Sequence, residues 1–121
     1  MLTRHPSVRI VVCTVPTDLR RGFDGLARMA QDVVCQDPLS GHFFVFLNRR
    51  RDRVKILYWD RDGYAVWAKR LEAGTFRLAE ATGPQLEVRH AELAMLLGGI
   101  DPAGSRRRVR FSLPRVTPVS T

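Results

Sequence analysis

The sequence predicts an α+β fold, an antiparallel sheet of meander type with one long helix packed on a face, a short C-terminal helix and a basic tail. Three observations predict it. The run Val8-Arg9-Ile10-Val11-Val12-Cys13-Thr14-Val15 is β-branched nearly throughout and stops at Pro16, as a buried strand does. Leu19, Phe23, Leu26, Ala30 and Val33 then recur at steps of four, three, four and three, which places one apolar stripe on a helix. Downstream, three apolar segments separated by turn-forming residues fit a three-stranded meander most economically.

Each element follows in order. Gly22 and Gly25 each cost a helix interior about 1 kcal/mol relative to alanine, so Thr17 to Arg21 reads as a turn capped by Asp18, with a helix over about 22 to 35 that Asp37-Pro38 ends. Pro38-Leu39-Ser40-Gly41 is a turn, and His42 to Leu47 an aromatic strand. Asn48-Arg49-Arg50-Arg51-Asp52-Arg53 is a basic loop between that strand and the next, Val54 to Trp59. Asp60-Arg61-Asp62-Gly63 reads as a hairpin loop of three to five residues with Gly63 at its positive-φ position, leading into a strand from Tyr64 to Leu71. A further short strand is expected over Thr75-Phe76-Arg77-Leu78, whereas Glu80 to Arg89 is too mixed to assign. Good helix formers over 90 to 97 stop at Gly98-Gly99. Residues 1 to 100 thus form one predicted domain, and 101 to 121, with three prolines and five arginines against one acid, a mobile basic tail.

With 121 residues, 45% hydrophobic and 26% charged, the chain can bury one sizeable core. Its 20 Lys and Arg against 12 Asp and Glu leave +8, a balance that attracts polyanions: nucleic acid first, the acidic face of a partner protein second. Eighteen of those 20 are arginine, a bias that GC-rich coding also produces, so position counts for more than number. No apolar run approaches the roughly 18 residues a membrane span needs, and Met1 to Pro6 lacks a signal-peptide core, so a cytoplasmic protein without a membrane partner is expected. Cys13 and Cys35 have no CxxC partner and no nearby pair of histidines, and read as two buried thiols.

Catalytic patterns are thin. His5, His42 and His90 are scattered, and no serine lies in a nucleophile elbow. Asp18 fits a cap and Asp60 and Asp62 a tight turn, while Gly22-Phe23-Asp24-Gly25 is no phosphate cradle. No catalytic residue, metal ligand or cofactor is assigned. The positive pattern is a DNA-phosphate surface: Arg49, Arg50, Arg51 and Arg53 on one loop, Lys55, Lys69 and Arg70 on the two strands after it, and Arg106, Arg107, Arg108 and Arg110 in the tail. A three-residue hairpin loop sets Lys55 opposite Lys69, a like-charge pair that phosphate would relieve, whereas a four-residue loop sets Lys55 opposite Ala68. In the first register Trp59 and Trp67 share the lysine-bearing face and offer stacking or partner contacts; the competing reading buries both.

Several blocks in order resemble a known family, the TnpB accessory protein of insertion sequence family 66. They are Pro16-Thr17-Asp18-Leu19-Arg20-Arg21-Gly22-Phe23-Asp24-Gly25-Leu26, Asp37-Pro38-Leu39-Ser40-Gly41, Phe44-Val45-Phe46 and the stretch from Asn48 to Asp60. Asp62-Gly63, Trp67, Lys69-Arg70-Leu71, Gly74, Phe76 and Glu92 to Asp101 extend the resemblance, which runs from about Val8 to Asp101. One local departure is Arg77-Leu78-Ala79-Glu80, where the family resemblance leads one to expect Trp-Pro after Phe76. The resemblance implies a small non-catalytic protein encoded beside a DDE-type transposase and needed with it for transposition; the basic surface, read from charge, adds element-end DNA as an expected partner beside that transposase, with self-association open. It carries no catalytic residues over. Two other functions remain in play from the sequence: a transposase-binding module that never touches DNA, and a small nuclease dependent on Asp52 or His42.

Overall fold

The computed structural model describes residues 8–98. Its element order is β1 (Ile10–Cys13), α1 (Phe23–Asp32), β2 (Phe43–Leu47), β3 (Arg53–Asp60), β4 (Gly63–Arg70), β5 (Gln85–Val88) and α2 (His90–Gly98). The five strands form one sheet in the order β4-β3-β2-β1-β5. β2 is the central strand, and every residue of Phe-Phe-Val-Phe-Leu is buried because both faces of the sheet are covered there. On one face Val11, Cys13, Phe44, Phe46 and Leu57 meet Leu26, Ala27, Ala30 and Val34 of α1 and its C-terminal turn. On the other, Ile10, Val12, Phe43, Val45 and Ile56 meet Phe76 and, from α2, Leu93 and Leu96. This alternation follows the period of two along each strand.

The class is α+β as expected, but the sheet is mixed. β1 and β2 run parallel, with Val11 paired to Phe44, because α1 carries the chain back across the sheet between them. The predicted meander holds only for β2, β3 and β4. The fifth strand is Gln85–Val88, antiparallel to β1, and Thr75 to Leu78 is not a strand. Phe76 is instead a plug: its ring is buried under the sheet and its N–H donates to the Arg51 carbonyl at 2.7 Å.

The helix is also shorter than predicted, ending at Asp32 rather than near residue 35. Val34 turns inward to the core, Cys35 adopts φ of +58°, and the Gln36 N–H closes back on the Ala30 carbonyl at 3.0 Å. α2 begins where expected, and the Glu92 carboxylate accepts the Arg89 N–H at 2.9 Å, half of a capping box. No helix among the described residues is long and apolar enough to cross a membrane.

Of the two predicted buried thiols, only Cys13 is buried; Cys35 is exposed. Burial pushes the Cys13 thiol up, which lowers its reactivity further. Titration with an aromatic disulfide reagent is therefore expected to modify one thiol per native chain promptly and the second only after unfolding; two equally fast thiols would contradict this packing.

Candidate nucleic-acid interface

The basic loop between β2 and β3 is built around one side chain. Asn48 Oδ1 accepts the backbone N–H groups of Asp52 and Arg53 at 3.1 and 3.0 Å, and its Nδ2 donates to the Asp52 carboxylate at 2.6 Å. The loop closes with the Arg51 N–H on the Asn48 carbonyl at 3.1 Å, Arg51 taking φ of +57°. Behind it, the Asp52 carbonyl accepts the Leu71 N–H at 2.7 Å, so the segment after β4 braces the loop. A loop so tied projects Arg49 and Arg50 into solvent from a fixed base.

Beside it lies the turn before α1. The Thr17 N–H donates to the Leu47 carbonyl at 2.9 Å, which draws the 17–21 turn against the end of β2. The result is a groove of about 640 Å³ between the turn and the loop, lined by Arg20, Arg21, Arg49, Arg50 and Arg53. A second groove of about 570 Å³, lined by Arg20, Arg53, Lys55, Lys69 and Arg70, shares Leu19, Arg20 and Arg53 with the first, so the two adjoin. Eight cationic residues thus line one channel against three carboxylates, Asp18, Asp52 and Glu72. Asp18 is taken by Arg20 at 2.9 Å and Glu72 by Arg70 at 2.7 Å. Among the described residues, Arg21, Arg49, Arg50, Arg51 and Arg53 form no ion pair.

Of the seven residues predicted on the loop and strands, six line this channel. Arg51 does not; it borders a separate hollow with Thr14 and the 78–82 segment. Arg20 and Arg21 line it but were not part of the predicted set, although their Arg-Arg pair beside the loop's arginines in charge was there to be seen. The hairpin loop has two residues, Arg61 and Asp62, not three: Asp60 pairs with Gly63, Arg61 takes φ of +58°, and Gly63 is the first residue of β4. Lys55 therefore faces Ala68 and Lys69 faces Val54, which removes the expected Lys55–Lys69 opposition. The same register creates another, Arg53 directly opposite Arg70.

The lysines also part company. The Lys55 ammonium donates to the Arg21 carbonyl at 3.4 Å on the α1 side, whereas the Lys69 ammonium reaches the Leu97 carbonyl of α2 at 3.1 Å. The tryptophans do not share a face: Trp59 pairs with Tyr64 and Trp67 with Ile56, three residues from Trp59 along β3, an odd offset that puts the two on opposite faces. Trp59 is held edge-on to Tyr64, ring centres 5.1 Å apart, and Trp67 packs against the core under α2. Both are half-buried, and neither lines the channel. Arg106, Arg107, Arg108 and Arg110 lie outside the described residues.

The two residues on which a nuclease would depend are apart. Asp52 sits in the loop after β2 and is held by Asn48, while His42 precedes β2 at the opposite end of the strand, its Nδ1 accepting the Arg9 N–H at 3.0 Å. Among the described residues no group of three or more His, Cys, Asp or Glu is arranged to hold a metal ion.

Four carboxylates titrate below their usual range. Hydrogen bonds from Arg20 lower Asp18 to about 2; the Asn48 amide lowers Asp52, the Arg9 guanidinium lowers Glu87, and the Arg89 N–H lowers Glu92. A depressed folded-state pKa means that the unfolded chain binds more protons as acid is added, so this stability is complete above the ordinary carboxylate values and is lost as pH falls through the folded ones. The urea midpoint is expected to be flat from pH 7 to about 5 and to fall between about pH 4.5 and 2, modestly, because all four groups are solvent-screened. A midpoint that rises on acidification would contradict these contacts.

Comparison with known proteins agrees in coverage. The chain is 38% identical over 101 residues to the uncharacterized protein y4hO of Sinorhizobium fredii, which spans 84% of this chain and 88% of that one. It is 35% identical over 108 residues to the uncharacterized protein y4jC of the same organism, spanning 89% and 92%. No solved structure matches. The family described as IS66 Orf2-like protein matches residues 8–107, which takes in the turn, the basic loop and the β3–β4 ladder that together form the channel; the chain belongs to this family, the TnpB accessory proteins of IS66 elements.

Proposed function

We propose that this protein is a non-catalytic accessory factor of DNA transposition, holding the phosphate backbone of element-end DNA in the channel between the 17–21 turn, the 48–53 loop and the β3–β4 ladder, alongside its transposase. Family membership supports the process. The observation that carries the DNA contact is the Arg53–Arg70 pair, two like charges set opposite each other across a ladder in the middle of a channel with a surplus of five cationic residues. Like charges so placed destabilise a sheet; Glu72 offsets part of that through Arg70, and a bound phosphodiester relieves the remainder at Arg53. Because the tryptophans lie outside the channel, the contacts are to phosphates, which position a complex without reading sequence.

The test is a salt titration with the full chain and three labelled probes: duplex from the element ends, unrelated duplex, and single strand. Each phosphate neutralised contributes about −0.9 to the slope of log K against log salt. Changing Arg49, Arg50 and Arg53 together to alanine is expected to make the slope shallower by about 2.7, with the two duplexes bound alike. No binding to any probe at low salt would refute the DNA contact and leave the transposase as the partner.

A further inference from the structure

Among the described residues β4 is an edge of the sheet, eight residues long, without proline, and paired on one side only. In the β3–β4 ladder the Asp60–Gly63 pair closes the hairpin, and just beyond the ladder Leu71 donates its N–H inward to Asp52. By the alternation of an antiparallel ladder, Gly63, Ala65, Trp67 and Lys69 then bond towards β3, and the backbone groups of Tyr64, Val66, Ala68 and Arg70 point outward. Among the described residues nothing bonds to them. Natural edges are blunted by proline, bulges, cover or mid-strand charge; here Gly63 to Ala68 carries no charge at all.

We infer that β4 pairs with β4 of a second copy, antiparallel about a two-fold axis at Val66. Antiparallel pairing requires outward residues to meet outward residues, so an axis between Val66 and Trp67 is forbidden, and two registers each use seven of the eight strand residues. The one centred on Trp67 sets two tryptophans opposite each other and brings Asp62 opposite Glu72 of the second copy. The one centred on Val66 sets Ala65 opposite Trp67, Tyr64 opposite Ala68, and Asp62 opposite Arg70. Val66 meets its own copy once, on the axis, and the pairings flanking it set small against large and acid against base, each supplied twice by symmetry. The complementarity comes from the strand itself: its hairpin tip, Asp60-Arg61-Asp62, carries the acids and its far end, Lys69-Arg70, the bases. The product is one ten-stranded sheet with the two Arg53–Arg70 pairs at opposite ends of the new ladder.

Sedimentation equilibrium of the full chain tests this without DNA. The native protein is expected to be a dimer that dissociates on dilution. Asp62→Arg and Arg70→Asp are each expected to weaken dimerisation about tenfold, since each acts at two symmetric positions, and the double variant to restore it. Val66→Pro removes the outward N–H at the axis, a position an edge strand tolerates, and is expected to leave a monomer with a native far-ultraviolet spectrum. A native chain monomeric up to about 100 µM, a dimer indifferent to all of these changes, or single variants that weaken it with no rescue in the double would each overturn the pairing.

Discussion

Replacing Phe44 by alanine is expected to cost about 3–5 kcal/mol, the range for a fully buried phenylalanine. Phe44 is 0% exposed on the central strand, with Val11 of β1 on one side and Leu57 of β3 on the other. Its ring packs in the cluster that α1 closes with Leu26 and Ala30. Both flanking strands are held by backbone ladders, so the surroundings cannot close over the lost volume, and a cavity adds to the lost transfer energy. Native domains hold about 5–15 kcal/mol in all, so the variant should sit near the edge of folding. Urea unfolding should show the midpoint falling with the slope unchanged. Phe23, which is 51% exposed at the start of α1, is the control; its alanine variant should stay within about 0.5 kcal/mol of the native protein. A Phe44 loss below about 1 kcal/mol would mean that α1 does not close this face as described.

Most of the fold was legible because its strands have strong local signals. The β-branched run at β1 and the aromatic run at β2 are continuous rather than alternating, and both strands are buried on both faces. That continuity is also the mark of parallel neighbours, a signal that the expectation of an antiparallel sheet passed over, and β1 and β2 pair in parallel. β5 escaped notice because only Leu86 and Val88 face inward and two residues of four are polar. The helix end was misplaced because Val33 and Val34 continue the apolar pattern after the backbone has left the helix; Val34 still reaches the core from a turn.

The channel was half legible. A run such as Asn48 to Arg53 announces a basic loop, but the partners of that loop are set by tertiary contacts. The turn bearing Arg20 and Arg21 comes next to it only because the Thr17 N–H bonds to Leu47 at the end of a parallel neighbour. The hairpin misled for a local reason. Glycine is the usual occupant of a positive-φ turn position, yet Arg61 takes that conformation and Gly63 begins the strand. Shortening the loop by one residue moves every cross-strand partner by one, and so the like-charge opposition passed from the two lysines to Arg53 and Arg70.

That opposition leads to a variant whose two effects have opposite signs. In Arg53→Glu the Arg–Arg pair becomes Glu–Arg, and a cross-strand pair of opposite charge is worth about 0.2–1 kcal/mol, less in salt because both residues are exposed. The free protein should therefore gain slightly in stability. The same change deletes one cation from the channel and adds an anion, so duplex binding at about 0.1 M salt should weaken roughly 10- to 100-fold and the salt slope should lose about two contacts. Arg28→Glu supplies the control, since it alters net charge equally on an exposed position of α1 that does not line the channel. Equal weakening by both would show that DNA responds to overall charge and not to this channel, and a destabilised Arg53→Glu would show that the two arginines are not opposed. A stabilised protein that has lost its DNA is the result that ties the strained pair to its use, because an ordinary structural arginine, once removed, lowers stability and has no reason to raise it.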